Sequence, residues 1–112
     1  MAVALGRSGF PPAYGVPQTV TLASGVITVS GPGQITVCAE TGTTGNLTKI
    51  LGLTIKGQKV SIKSDTGDTI TAKNGTNLRL NRSDFPLIDN NKLVLEYDGS
   101  DVCSELSRSP NS

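Results

Sequence analysis

The chain has 112 residues, ten Lys and Arg against nine Asp and Glu, no histidine and no tryptophan. That length suits one domain burying about two-thirds of the surface its unfolded form exposes. The two charge signs are interleaved, so no basic surface tracks a phosphate backbone, and no stretch approaches the ~18 apolar residues of a membrane span; neither nucleic acid nor a membrane is expected as partner.

The first stretch, 1–17, holds Gly6, Gly9, Pro11, Pro12, Gly15 and Pro17. It fits neither a regular helix nor a central strand and reads as an extended N-terminal arm. Met1-Ala2-Val3-Ala4-Leu5-Gly6 breaks too early for the apolar core of a signal peptide, so a soluble product of the cytoplasm is expected. Val3, Leu5, Phe10 and Tyr14 are the apolar pegs such an arm offers a partner, with Arg7 as a charged anchor for a carboxylate.

The second stretch, 18–107, alternates with a period near two. Thr19-Val20-Thr21-Leu22, Val26-Ile27-Thr28-Val29, Ile35-Thr36-Val37, Leu53-Thr54-Ile55, Val60-Ser61-Ile62, Thr69-Ile70-Thr71-Ala72, Asn77-Leu78-Arg79-Leu80 and Leu93-Val94-Leu95 each read as a half-buried strand. The prediction is an all-β domain, a small antiparallel sandwich or barrel with the arm before it. Its core draws on Val, Ile and Leu, because Phe10, Tyr14, Phe85 and Tyr97 are the only aromatic residues. Gly31-Pro32-Gly33 separates two strands, Asn74-Gly75 has the composition of a type I′ hairpin, and Asp98-Gly99 is a second candidate. Leu47-Thr48-Lys49-Ile50-Leu51 fits one strand or one helical turn. The 41–46 stretch cannot bury a face and reads as a mobile or partner-bound loop, with Thr41, Thr43, Thr44 and Asn46 as a surface recognition site. The last stretch, 108–112, carries Pro110 and reads as a tail.

Catalysis is not expected. Without histidine the usual general base is missing and a cysteine nucleophile lacks its customary partner. Asp65, Asp68, Asp84, Asp89, Asp98 and Asp101 lie beside predicted turns, where Asp commonly bonds the local backbone. Their spacing does not match an EF-hand. Cys38 and Cys103 are too few for a closed zinc site and, in a reducing compartment, are expected as free packed thiols. Neither a metal nor a cofactor is expected. Asn46-Leu47-Thr48, Asn74-Gly75-Thr76 and Asn81-Arg82-Ser83 match the glycosylation pattern by chance if the chain is not secreted.

The order Gly25-Val26-Ile27-Thr28-Val29, Leu47-Thr48-Lys49-Ile50, Gly57-Gln58-Lys59-Val60, then Thr69 through Leu80 with its central Lys73-Asn74-Gly75-Thr76, and Leu93-Val94-Leu95-Glu96-Tyr97-Asp98-Gly99-Ser100, resembles a β-rich module of tailed-bacteriophage structural proteins. That resemblance implies a virion protein. A single small module behind an arm suits a capsid decoration (cement) protein on the outer capsid surface. It would assemble as a homotrimer and bridge copies of the major capsid protein. A receptor-binding module of a tail fibre or spike, or a baseplate or head-tail connector, is the alternative.

Overall fold

A computed structural model describes residues 17–81, 83–88 and 91–109, which form strands and no helix. In chain order these are β1 (Gln18–Thr21), β2 (Val26–Thr28), β3 (Gly33–Cys38), β4 (Thr44–Leu47), β5 (Lys49–Leu51), β6 (Lys59–Ser64), β7 (Thr69–Ala72), β8 (Leu78–Arg79), β9 (Phe85–Leu87), β10 (Lys92–Gly99) and β11 (Val102–Ser109). The arm, with Val3, Leu5, Arg7, Phe10 and Tyr14, lies outside the described residues.

The chain winds as a β-solenoid. Strand β3 lies parallel between β1 and β6, β2 lies parallel to β5, and β4 lies parallel to β7. Each coil therefore stacks its strands directly on those of the coil before it. After β7 the direction reverses. Strand β9 pairs antiparallel with β7, β10 pairs antiparallel with β6, and β11 folds back along β10, closing that end. The result is a six-stranded sheet in the order β1-β3-β6-β10-β11-β8, beside a three-stranded sheet β4-β7-β9 and the β2-β5 pair. At the opposite end β1 and β2 each have one neighbour among the described residues.

Alternation along each strand builds the core. Gly33, Val60 and Leu95 are in register across the large sheet, as are Ile35, Ile62 and Leu93 one step on, and all face inward. The smaller sheets supply Ile27 over Ile50, Ile70 beside Leu87, and Leu47, Ala72 and Phe85 in one row. Burying each large aliphatic side chain contributes about 1.5–3 kcal/mol. Ser64, Asn91 and Glu105 are the buried polar residues among those described. Ser64 donates its hydroxyl to the Leu87 carbonyl and accepts the Ile70 N–H at 3.1 Å, tying the corner where β6 turns toward β7.

The all-β expectation is met; the antiparallel sandwich or barrel is not. Alternation reports only that one face of a strand is buried, which a solenoid satisfies as well as a sandwich. Asn74-Gly75 is a corner rather than a hairpin. Its flanking strands β7 and β8 pair with other strands, and neither residue has the positive φ that a type I′ turn requires. The hairpin signal near Asp98-Gly99 does correspond to a hairpin, β10–β11. There Ser100 and Asp101 take φ of 54° and 63° at the tip, and Gly99 takes 95°. The 53–55 segment forms no strand. The Gln58 side chain accepts the backbone N–H groups of Thr54 and Ile55 at 2.9 and 3.0 Å, closing a turn that leaves Ile55 exposed. Strand β11 runs to Ser109, past the predicted boundary of the tail at 108.

Candidate functional site

The predicted recognition loop is divided by the fold. Thr41 and Thr43 lie in the exposed turn between β3 and β4, but Thr44 and Asn46 belong to β4 and point outward from the three-stranded sheet. Thr44 stands beside Thr69, and Asn46 beside Thr71 with Pro86 next in the row. Rather than a mobile loop, the sequence builds a short polar ladder whose backbone is fixed by β7. Sequence reading missed β4 because its inward positions are Gly45 and Leu47. A Cβ at Gly45 would come within 2.6 Å of Leu22 Cδ1, so the strand's glycine is the space into which the first coil packs.

The larger polar surface is the outer face of the six-stranded sheet, which sequence reading did not single out. Gln34, Ser61, Val94 and Ser107 form one row across β3, β6, β10 and β11. Thr19, Thr36 and Lys63 form a parallel row, and Lys92 sits opposite Ser109 at its far side. A cavity of about 160 Å³ opens among Pro17, Gln34, Ile35, Thr36, Ser61, Lys63 and Lys92. A second, of about 200 Å³, shares Gln34 and Ser61 and extends toward Lys59 and Val94. Together they make a shallow trough along β6. The alternation signal could have found it, since Thr36 and Ser61 occupy the polar phase of two strands read from the sequence and Lys63 continues the phase of the second.

The described acidic residues are mostly committed to turns and seams. Asp68 accepts the Ala39 N–H at 2.9 Å. Asp84 pairs with Lys73 at 2.8 Å and accepts the Asn74 N–H at 2.7 Å, contacts that, Lys73 first, hold its carboxyl below the usual carboxylate range. Asp98 accepts the Ser104 hydroxyl, and Asp101 pairs with Lys49 at 3.7 Å. No three metal-ligating side chains gather among the described residues.

Cys38 and Cys103 are free. Strands β6 and β10 lie between β3 and β11, so three strand spacings of about 4.8 Å hold the two residues well beyond the ~7 Å that a disulfide spans. Burial raises the Cys103 thiol to about 11, helped by Asp98 and Asp101, and Cys38 is also raised, by desolvation and then by Asp65. Neither environment activates a nucleophile, which requires a lowered pKa.

No protein-family model matches the chain, and no curated protein matches it.

Proposed function

We propose that this chain is a non-enzymatic structural protein of a tailed-bacteriophage virion, a decoration protein that binds the outer capsid surface as a trimer and bridges copies of the major capsid protein. The observation that carries this reading is the one-sided closure of the solenoid. A folded-back hairpin seals one end, while the other presents β1 and β2, and β1 is the strand that follows the segment 1–17 in sequence. A module sealed at one end suits attachment through the other. Val3, Leu5, Arg7, Phe10 and Tyr14 are the proposed contacts with neighbouring subunits. Repetition around a threefold axis turns weak contacts into avid ones, because later protomers dock at high effective concentration. The protein would be made in the host cytoplasm, without a cofactor, and its partners would be capsid protein and its own copies rather than nucleic acid or membrane.

The polar trough on the six-stranded sheet favours a second reading, a tail-fibre or spike module that holds a host-surface ligand. Quantitative mass spectrometry of purified virions separates the two. A copy number near that of the major capsid protein supports lattice decoration, a few trimers per particle supports the fibre or connector reading, and absence overturns both. Deleting residues 1–15 is expected to leave the solenoid folded and to abolish capsid binding; unchanged saturation of capsids by the truncated chain would overturn the role of the arm.

A further inference from the structure

We propose that the trough on the outer face of the six-stranded sheet binds an acidic polysaccharide, one whose sugars bear carboxylate or sulfate groups. Three observations lead there.

The first is a like-charged cross-strand pair. One step beyond the Leu93–Ile62 register pair, Lys92 and Lys63 come to the same row of adjacent strands, both on the outward phase, and both line the 160 Å³ cavity. Like charges placed directly opposite each other across strands destabilise a sheet. Neither lysine has a carboxylate within 4.0 Å among the described residues, whereas Lys59, Lys49 and Lys73 each do. An oxyanion seated between Lys63 and Lys92 would relieve the repulsion, and lysine serves such a ligand as a point charge.

The second is the polar lining beside that pair. Gln34, Thr36 and Ser61 face the same space, and their side chains make no hydrogen bond among the described residues. An amide and two hydroxyls beside two ammonium groups match a ligand rich in hydroxyls and carrying an anion.

The third is what the site lacks. Among the described residues no aromatic side chain lines either part of the trough, so base stacking, which anchors single-stranded nucleic acid, finds no platform on the sheet itself. Strands β3, β6 and β10 beneath it are each paired on both sides, so a peptide cannot add to them as a further strand. Recognition must come from side chains on a fixed sheet. Lys59 lies at the other end of the trough, four residues from Lys63 and thus about 13 Å along the strand. An extended chain spans that distance and a single small ion does not.

The inference goes beyond the capsid reading and does not need it. Its test is calorimetric titration of the full chain with heparin, alginate, neutral dextran and inorganic sulfate, comparing the wild type with Lys63→Gln, Lys92→Gln, the double variant and the exposed turn variant Lys56→Gln. The proposal expects binding of at least one acidic polysaccharide, none of dextran, and roughly tenfold weakening in the double variant with Lys56→Gln unchanged. It also expects the thermal midpoint of Lys63→Gln to rise, because the like-charge contact is gone. Several outcomes would overturn it: no binding to either acidic polymer, equal weakening by Lys56→Gln, or saturation by inorganic sulfate as tight as by the polymers. The virion copy number is read separately, so either idea can fail alone.

Discussion

Arg108 grips Glu105 through two parallel contacts, Nε to Oε2 at 2.9 Å and Nη2 to Oε1 at 2.8 Å, while its guanidinium lies 4.6 Å from the centre of the Phe85 ring. The two residues are three apart on a strand, where side chains three apart ordinarily face opposite ways. A bulge reconciles them. Leu95 pairs with Glu105 and Val94 with Ser107, so Leu106 is the extra residue and Arg108 returns to the side of Glu105. Glu105, only 7% exposed, also accepts the Asn81 N–H at 3.0 Å through its carboxylate, and Arg108 reaches the Ser83 carbonyl at 3.2 Å. One arginine thus fastens β11 to the 81–85 segment.

Removing one partner of a buried, hydrogen-bonded ion pair is destabilising, by about 3–5 kcal/mol. Arg108→Ala is therefore expected to lower the unfolding free energy read from urea denaturation by that order, and the double variant Glu105→Gln with Arg108→Met to recover much of the loss. A double variant no more stable than Arg108→Ala would show that the packing on Phe85, not the charge pair, does the fastening.

Two glycines with the same backbone requirement predict different outcomes. Gly52 has φ of +106°, and a Cβ there would stand 1.9 Å from the Val29 carbonyl oxygen; Gly67 has φ of +88° and open space around it. Gly67→Ala should cost the conformational term alone, about 1–2 kcal/mol. Gly52→Ala must in addition push β2 away from β5, and is expected not to fold or to lose several kcal/mol. Equal stabilities by chemical denaturation would contradict the close stacking of those coils.

The cysteines give a test of pH dependence. The Cys103 thiol is raised from 9.0 to about 11 in the folded state. The unfolded chain releases that proton first, so the contribution is fully present below pH 9 and is lost as pH climbs toward 11, by about 1.4 kcal/mol per unit of difference. The stability of the wild type should fall more steeply over that window than that of Cys103→Ala, in which other titrating groups are unchanged. Alkylation of the native protein at neutral pH should reach Cys38 before Cys103, and a non-reducing mass measurement should find both thiols free.

The strands legible in the sequence are those whose inward positions are branched aliphatics, such as Val60 and Ile62 in β6 or Ile70 in β7. Those that were not legible have physical reasons. Strand β4 offers Gly45 in place of a side chain, β9 contains Pro86, which a sheet tolerates because β9 is an edge, and β11 turns a glutamate inward whose partner is brought round by a bulge. Solenoid winding was hidden for another reason. Partners Gln18 and Ile35 are 17 residues apart in sequence, Ile35 and Ile62 are 27 apart, and Ile27 and Ile50 are 23 apart, so stacking leaves no fixed period to detect. For the site, the chemistry of Thr36, Ser61 and Lys63 was visible, but the meeting of Lys63 with Lys92 depends on the reversal of direction at β10, which no local pattern announces.

That reversal gives the molecule a growing end and a finished one. A duplicated coil placed before β6 would find parallel neighbours above and below and could lengthen the stack without disturbing the strands beyond it. The same insertion between β6 and β10 would part the strands that the hairpin needs to close the sheet. Variation in length among natural versions of this protein should therefore accumulate on the β1 side, leaving the Arg108 fastening and the basic trough at a constant distance from the sealed tip.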